Sequence, residues 1–230
     1  MFEAFYASSI QHPLLLWCAA LAALGYALTR AGLTPALRRY CLGLGVLSIA
    51  DAWLTSGTVA GIGRLEGAAA TVVPLFFVLA GDLRFLLVVT LGTPDGDLRV
   101  ARSRIRVATA FALIVPIFSQ LVVALLPASM AAPRVLFLVY ELSFFALTCV
   151  LMRVHPGPRR SPWVRDVARF VLLYYGLWAT ADAIILFAGA DWGYGLRVLP
   201  NLLYYGGLIA AIGGLASRAS RASASTSAAG

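Results

Sequence analysis

Residues 68–91 read AAATVVPLFFVLAGDLRFLLVVTL. Apart from Asp82, Arg84 and two threonines the stretch is apolar or small throughout, over a length that crosses about 30 Å of hydrocarbon as a helix. Six further stretches on either side follow the same pattern, at about 12–29, 40–62, 107–127, 135–152, 167–189 and 197–216. The whole chain agrees: of its 230 residues 61% are hydrophobic and 12% charged, and its mean hydropathy is +0.87. That charge share is about half of what keeps a soluble domain in water. The expectation is an all-α polytopic membrane protein, a seven-helix transmembrane bundle over residues 1–216. Residues 217–230, rich in alanine and serine, are expected to form a disordered cytoplasmic tail.

All 18 basic residues are arginines. Arg30, Arg38, Arg39, Arg99, Arg102, Arg104, Arg106, Arg153, Arg159, Arg160, Arg165, Arg218 and Arg221 fall on one side of this plan, and Arg64, Arg134 and Arg197 on the other. The positive-inside rule then puts the N-terminus outside and the C-terminus in the cytoplasm, as expected for a multi-pass protein of a cell membrane such as a bacterial inner membrane. The N-terminal residues lack the basic region of a cleaved signal, so the first span is expected to stay in the bundle. Arginines that flank spans without interleaved aromatics fit topology and anionic lipid better than nucleic acid, so membrane lipids and a small or lipid-like substrate are the expected partners.

Lysine is missing, which removes Schiff-base chemistry with retinal or pyridoxal phosphate. Two histidines, His12 and His155, and three widely separated cysteines do not assemble the usual zinc or bis-histidine haem ligand set, and no cofactor is expected. Trp163, Trp192 and Tyr194 read as interfacial anchors, and Gly206-Gly207 and Gly213-Gly214 as points of close helix packing.

Chemistry is then sought in the acids placed inside spans, each of which costs at least about 2.5–3.5 kcal/mol unless partnered. Asp51, Asp82, Glu141 and Asp182 are these acids, whereas Arg84 lies near enough to a span end to snorkel out. Ser48, Asp51 and Thr55 share one helical face, as do Tyr175, Trp178 and Asp182, and as do Asn201, Tyr204 and Tyr205. Asp51 and Asp182 are the candidate catalytic residues, and Asp82, Tyr175, Trp178, Asn201, Tyr204 and Tyr205 the candidate substrate-binding ones. An acid that merely bonds a neighbouring helix as packing glue is the competing reading, strongest for Glu141. Gly45 and Ala50-Asp51-Ala52 match Gly176 and Ala181-Asp182-Ala183 at a constant offset, which implies a parallel 3+1+3 repeat with the two aspartates within one water-bridged contact.

The ordered set His12-Pro13-Leu14, Ala50-Asp51, Gly81-Asp82-Leu83-Arg84-Phe85, Ala181-Asp182 and Tyr204-Tyr205-Gly206-Gly207-Leu208-Ile209 resembles the motif series of the lysoplasmalogenase (YhhN-like) membrane proteins. That series carries Lys-Pro, Gly-Asp, His-x-x-Tyr, Ser-Asp and an aromatic pair before Leu-Ile. Here His12 replaces the lysine, Ala50 the glycine, Ala181 the serine, and aspartate or arginine the histidine. Asp51, Asp182 and the Tyr204-Tyr205 pair are the positions that carry over. The resemblance implies hydrolysis of a single-chain vinyl ether lipid, with one aspartate as acid and the other stabilising charge or activating water. A proton-coupled or small-solute carrier, and a seven-helix sensor without a retinal lysine, are the alternative expectations.

Overall fold

The computed structural model describes residues 1–56, 67, 69–127 and 133–228. Among these residues the fold is all-helical, with no strand. A short α1 (Phe2–Tyr6) and a π-helical segment (Ile10–Leu15) lead into α2 (Leu16–Leu28), followed by α3 (Pro35–Thr55), α4 (Ala69–Leu91), α5 (Arg102–Leu125) and α6 (Pro133–Val154). A short α7 (Pro156–Arg160), α8 (Pro162–Ala188) and α9 (Trp192–Leu202) come next, and a second π-helical segment (Leu203–Gly207) runs into α10 (Leu208–Ala228).

Six of these helical runs are long and apolar enough to cross a membrane: Ile10–Leu28, Val72–Leu91, Arg102–Leu125, Arg134–Val154, Pro162–Ala188 and Trp192–Thr226. The 21-residue α3 has the length as well, but carries Arg38, Arg39 and Asp51. The end of the expected span 40–62 and Arg64 lie outside the described residues. Several helices begin earlier than hydropathy alone indicates, because arginine is a good helix former and continues α5 and α8 beyond their apolar part. The tail differs from expectation for a related reason. Residues 217–228 extend α10 rather than fraying into disorder. Alanine is the strongest helix former, and the hydroxyls of Ser217, Ser225 and Thr226 bond carbonyls three or four residues back.

The long helices pack in chain order as a ring, α2 on α3, α4 on α5, α5 on α6 and α6 on α8, and α10 closes the ring against both α8 and α2. That closure uses small residues. A Cβ on Gly206 would lie 2.5 Å from the Ala19 carbonyl oxygen and one on Gly213 2.7 Å from the Ala27 methyl. In lipid such close backbone approach, rather than exclusion of water, drives helix association.

The arginine-rich loops meet at one end of the bundle. The Thr93 carbonyl accepts hydrogen bonds from Trp163 Nε1 at 2.7 Å and Ser161 Oγ at 3.2 Å. Thr34 caps α3 by accepting the Leu37 N–H, with Pro35 at the first helical position, and its hydroxyl bonds Asp97. Gly96, at φ +77°, tucks under α10 where a Cβ would sit 2.3 Å from the Ala216 carbonyl. Trp163 is therefore not an interfacial anchor but a buried clamp on the 92–98 turn, while Trp192 is exposed at the opposite end.

Candidate functional site

A cavity of about 450 Å³ opens in the half of the bundle remote from the arginine-rich loops. Asp51 and Thr55 enter it from the last turns of α3, and Asp82 from the middle of α4. Tyr140 and Glu141 come from α6, Tyr175 and Trp178 from α8, and Arg197, Asn201, Tyr204 and Tyr205 from α9 and the π-helical segment after it. Leu16, Pro74, Phe77, Val78 and Phe137 give the wall an apolar part, and Tyr6, Gln11 and His12 complete it. Seven of the eight residues singled out from the sequence thus share one cavity. The eighth, Asp182, does not line it.

Asp82 joins three helices. It is 1% exposed, and its two oxygens accept hydroxyl hydrogen bonds from Tyr175 at 2.7 Å and from Tyr140. Tyr175 is held in turn by stacking on Phe144, with ring centroids 4.5 Å apart. Asp51 is less constrained: Thr55 Oγ1 contacts it at 3.4 Å, the Tyr205 hydroxyl is directed at it, and His12 Nε2 lies 3.4 Å from the same Thr55 hydroxyl.

Arg84 does not snorkel. It is 3% exposed, donates from Nη1 to Ser48 Oγ at 2.9 Å and spreads its guanidinium over the Tyr204 ring, while Nη2 finds no partner. Its charge reaches both Asp51 and Asp82 without closing an ion pair on either. Its backbone carbonyl accepts the Tyr40 hydroxyl, and Gly81, one turn earlier, lets Tyr204 pack directly against α4.

Asp182 belongs to a second cluster. Its Oδ1 accepts Arg134 Nη1 at 2.8 Å and also Arg197, whose Nη1 lies 3.8 Å from Glu141 Oε1. Two acids and two arginines balance each other there, which is what makes charges tolerable in a low-dielectric interior. Asp51 and Asp182 share no direct hydrogen bond: Asp182 Oδ1 is taken by Arg134 and Arg197, and Asp51 by Thr55. The repeat-matched glycines also meet unlike neighbours, Leu24 at Gly45 and Phe145 at Gly176.

Sequence reasoning passed over Tyr140, Arg134 and Arg197 as functional residues. Arg197, Asn201, Tyr204 and Tyr205 follow i, i+4, i+7 and i+8, so extending the aromatic stripe one turn back would have placed Arg197 on the cavity face. Among the described residues no group of three or more His, Cys, Asp or Glu side chains is arranged to hold a metal ion. The arrangement offers instead three carboxyls on one cavity, Asp51, Asp82 and Glu141, with hydroxyl donors on Asp82, Arg84 beside Asp51 and Arg197 beside Glu141. Comparison with protein-family models, curated proteins and solved structures gives no match to this chain.

Proposed function

We propose that this chain is a seven-span cell-membrane protein, α3 being the seventh span, with its arginine-rich end in the cytoplasm and its cavity an acid–base site for a single-chain amphiphile. The reaction that suits the site is hydrolysis of a vinyl ether lipid of the lysoplasmalogen kind. Protonation of the β-carbon gives an oxocarbenium ion, water adds to it, and the resulting hemiacetal breaks to an aldehyde and a free glycerol hydroxyl, returning the proton. One water is consumed. The chemistry asks for one carboxyl acid, one carboxylate near the developing positive charge and restricted water.

The observation that carries this reading is that Asp51 and Asp82 line one cavity within reach of the Arg84 charge, while the third carboxyl there, Glu141, has its own cation in Arg197. A buried group of two acids and one arginine reaches neutrality with one proton between the acids, which divides the roles. Asp82, with both oxygens engaged as acceptors, is assigned the carboxylate role. Asp51, open to the cavity, is assigned the acid. Asp182 passes from catalysis to positioning, since its contact with the cavity runs through Arg197. The apolar wall of Phe77, Val78 and Phe137 accommodates the chain of the lipid.

The test is aldehyde release from lysoplasmalogen by purified protein in detergent. Asp51→Asn and Asp82→Asn each lower turnover by at least about a hundredfold, the usual scale for losing general acid–base catalysis. No release from the wild type removes the enzyme reading.

A proton-coupled carrier is the second reading, favoured by one specific feature. From Glu141 on the cavity wall, ion pairs run through Arg197 and Asp182 to Arg134, whose side chain is 27% exposed near the opposite surface from the arginine-rich loops. Such a chain links a buried carboxyl to bulk solvent. A carrier loses uptake in Glu141→Gln without any hydrolytic change.

A further inference from the structure

A second cavity, of about 520 Å³, lies at the arginine-rich end, and the residues around it have no part in the acid–base chemistry. Arg99 lines it from the turn after α4, Arg104 from the first turn of α5 and Arg160 from the end of α7, so three separate elements bring exposed arginines to one concavity. None of the three side chains makes a hydrogen bond or ion pair among the described residues. Asp95 is the one acid in the lining. The other acids at this end are engaged elsewhere, Asp97 with Thr34 and the Leu98 N–H and Asp166 with Arg169.

We propose that this cavity is a phosphate-binding site, separate from the acid–base cavity. Arginines that merely fix topology need exposure, not convergence. Three unpaired guanidinium groups from different directions match a tetrahedral oxyanion, because each presents N–H donors in a planar fork. Ser103 adds a hydroxyl with no other partner among the described residues. His155 adds a neutral donor. Its Nδ1 accepts the Gly157 N–H at 3.1 Å, which leaves the proton on Nε2, and burial followed by the charge of Arg104 keeps the imidazole below its ordinary pKa.

Position indicates where the phosphate comes from. Val107 belongs to the cavity wall and is 42% exposed, and the exposed side chains of Ile114, Ile117, Phe118 and Leu121 continue down α5 from it. The cavity therefore sits where an apolar helix face meets the polar loops, the level of lipid headgroups. A phosphate held there is carried by a lipid with its chains along α5, or arrives free from solution.

The test uses the full chain in nonionic detergent and follows thermal unfolding. The probes are sodium phosphate and dihexanoyl phosphatidic acid, and the controls are sodium chloride at equal ionic strength and hexanoate, an anionic amphiphile without phosphorus. At least one phosphate probe raises Tm saturably by about 5 °C when in large excess over its Kd, and neither control does. A rise with phosphatidic acid alone identifies a lipid headgroup, a rise with inorganic phosphate alone a soluble phosphate, and a rise with both a site that reads the phosphate itself. Arg104→Lys and Arg160→Lys keep the charge but remove the fork, and weaken apparent affinity at least about tenfold, whereas Arg39→Lys, at the same end but outside the lining, does not. Equal responses to the controls, or lysine variants that bind like the wild type, overturn the proposal. Should the lysine variants not fold, the contrast between probes and controls on the wild-type chain decides it alone.

Discussion

The guanidinium carbon of Arg84 lies 4.0 Å from the centroid of the Tyr204 ring, and this stack couples the middle of α4 to the segment that follows α9. A desolvated cation over an aromatic face contributes about 2 kcal/mol, and a compact ammonium does not reproduce the planar overlap. Arg84→Lys therefore lowers thermal stability by about 1–2 kcal/mol and, in the proposed hydrolysis, lowers turnover by more than the stability loss alone accounts for, since Asp51 and Asp82 lose the placement of the cation beside them. Unfolding curves and aldehyde release, measured on the same preparation, separate the two effects.

Gly81 makes that stack possible. A methyl group there would lie 1.8 Å from the Tyr204 hydroxyl oxygen. Gly81→Ala costs about 1–3 kcal/mol, the usual range for overpacking. Tyr204→Phe removes the offending oxygen, after which the nearest ring atom is 2.9 Å away. The double variant Gly81→Ala/Tyr204→Phe is expected to be more stable than Gly81→Ala alone, and additive losses would show that the clash is not the cause.

Asp182 is fully buried and serves two arginines, so Asp182→Asn leaves both under-compensated and costs about 3–5 kcal/mol. In a chain of this size that lowers Tm by at least about 6 °C. Arg134, partly in solvent, is the weaker half of the arrangement, and Arg134→Gln costs less than about 1 kcal/mol. The ordering of the two variants is the informative quantity.

Asp191 ties down the amino-terminal helix. The Met1 amine and the Phe2 and Glu3 N–H groups all donate to its carboxylate, each at 2.9 Å, and with the amine bond foremost they hold its pKa at about 2 against an ordinary 3.8. A depressed folded-state pKa means that the stabilisation is complete above pH 3.8 and disappears as pH falls through about 2. Hydrogen exchange at the Phe2 and Glu3 amides is expected to accelerate, relative to the rest of the chain, over that interval. Asp191→Asn removes the titrating group and abolishes the pH dependence.

Asp51, Asp82 and the Tyr204-Tyr205 pair were legible in the sequence because a carboxyl or a hydroxyl on a helix in lipid has nowhere to face but inward, so helical phase alone locates it. Asp182 obeyed the same rule and faces inward too, but its partners could not be read. Arg134 and Arg197 stand at the starts of apolar stretches far apart in the chain and carry the signature of topology markers. Trp163 was misplaced because an aromatic at a helix start resembles a membrane anchor until the 92–98 turn folds over its indole. The arginine-lined second cavity was hidden for the opposite reason: its residues are individually ordinary, and only the meeting of two connections, 90–107 and 155–161, at one end assembles them.

Closure of the ring by the last helix also sets an order of construction. Arg197, Asn201, Tyr204 and Tyr205 form a whole side of the acid–base cavity, and Gly206 and Gly213 seat the same stretch against α2. A nascent chain leaving the ribosome from its amino end carries Asp51 and Asp82 into the bilayer long before those residues exist. Until synthesis reaches Gly213, the two aspartates wait without their wall. A truncation before Arg197 leaves Asp51 on a cavity that lacks one side, while Asp82 keeps the two hydroxyl donors it takes from α6 and α8.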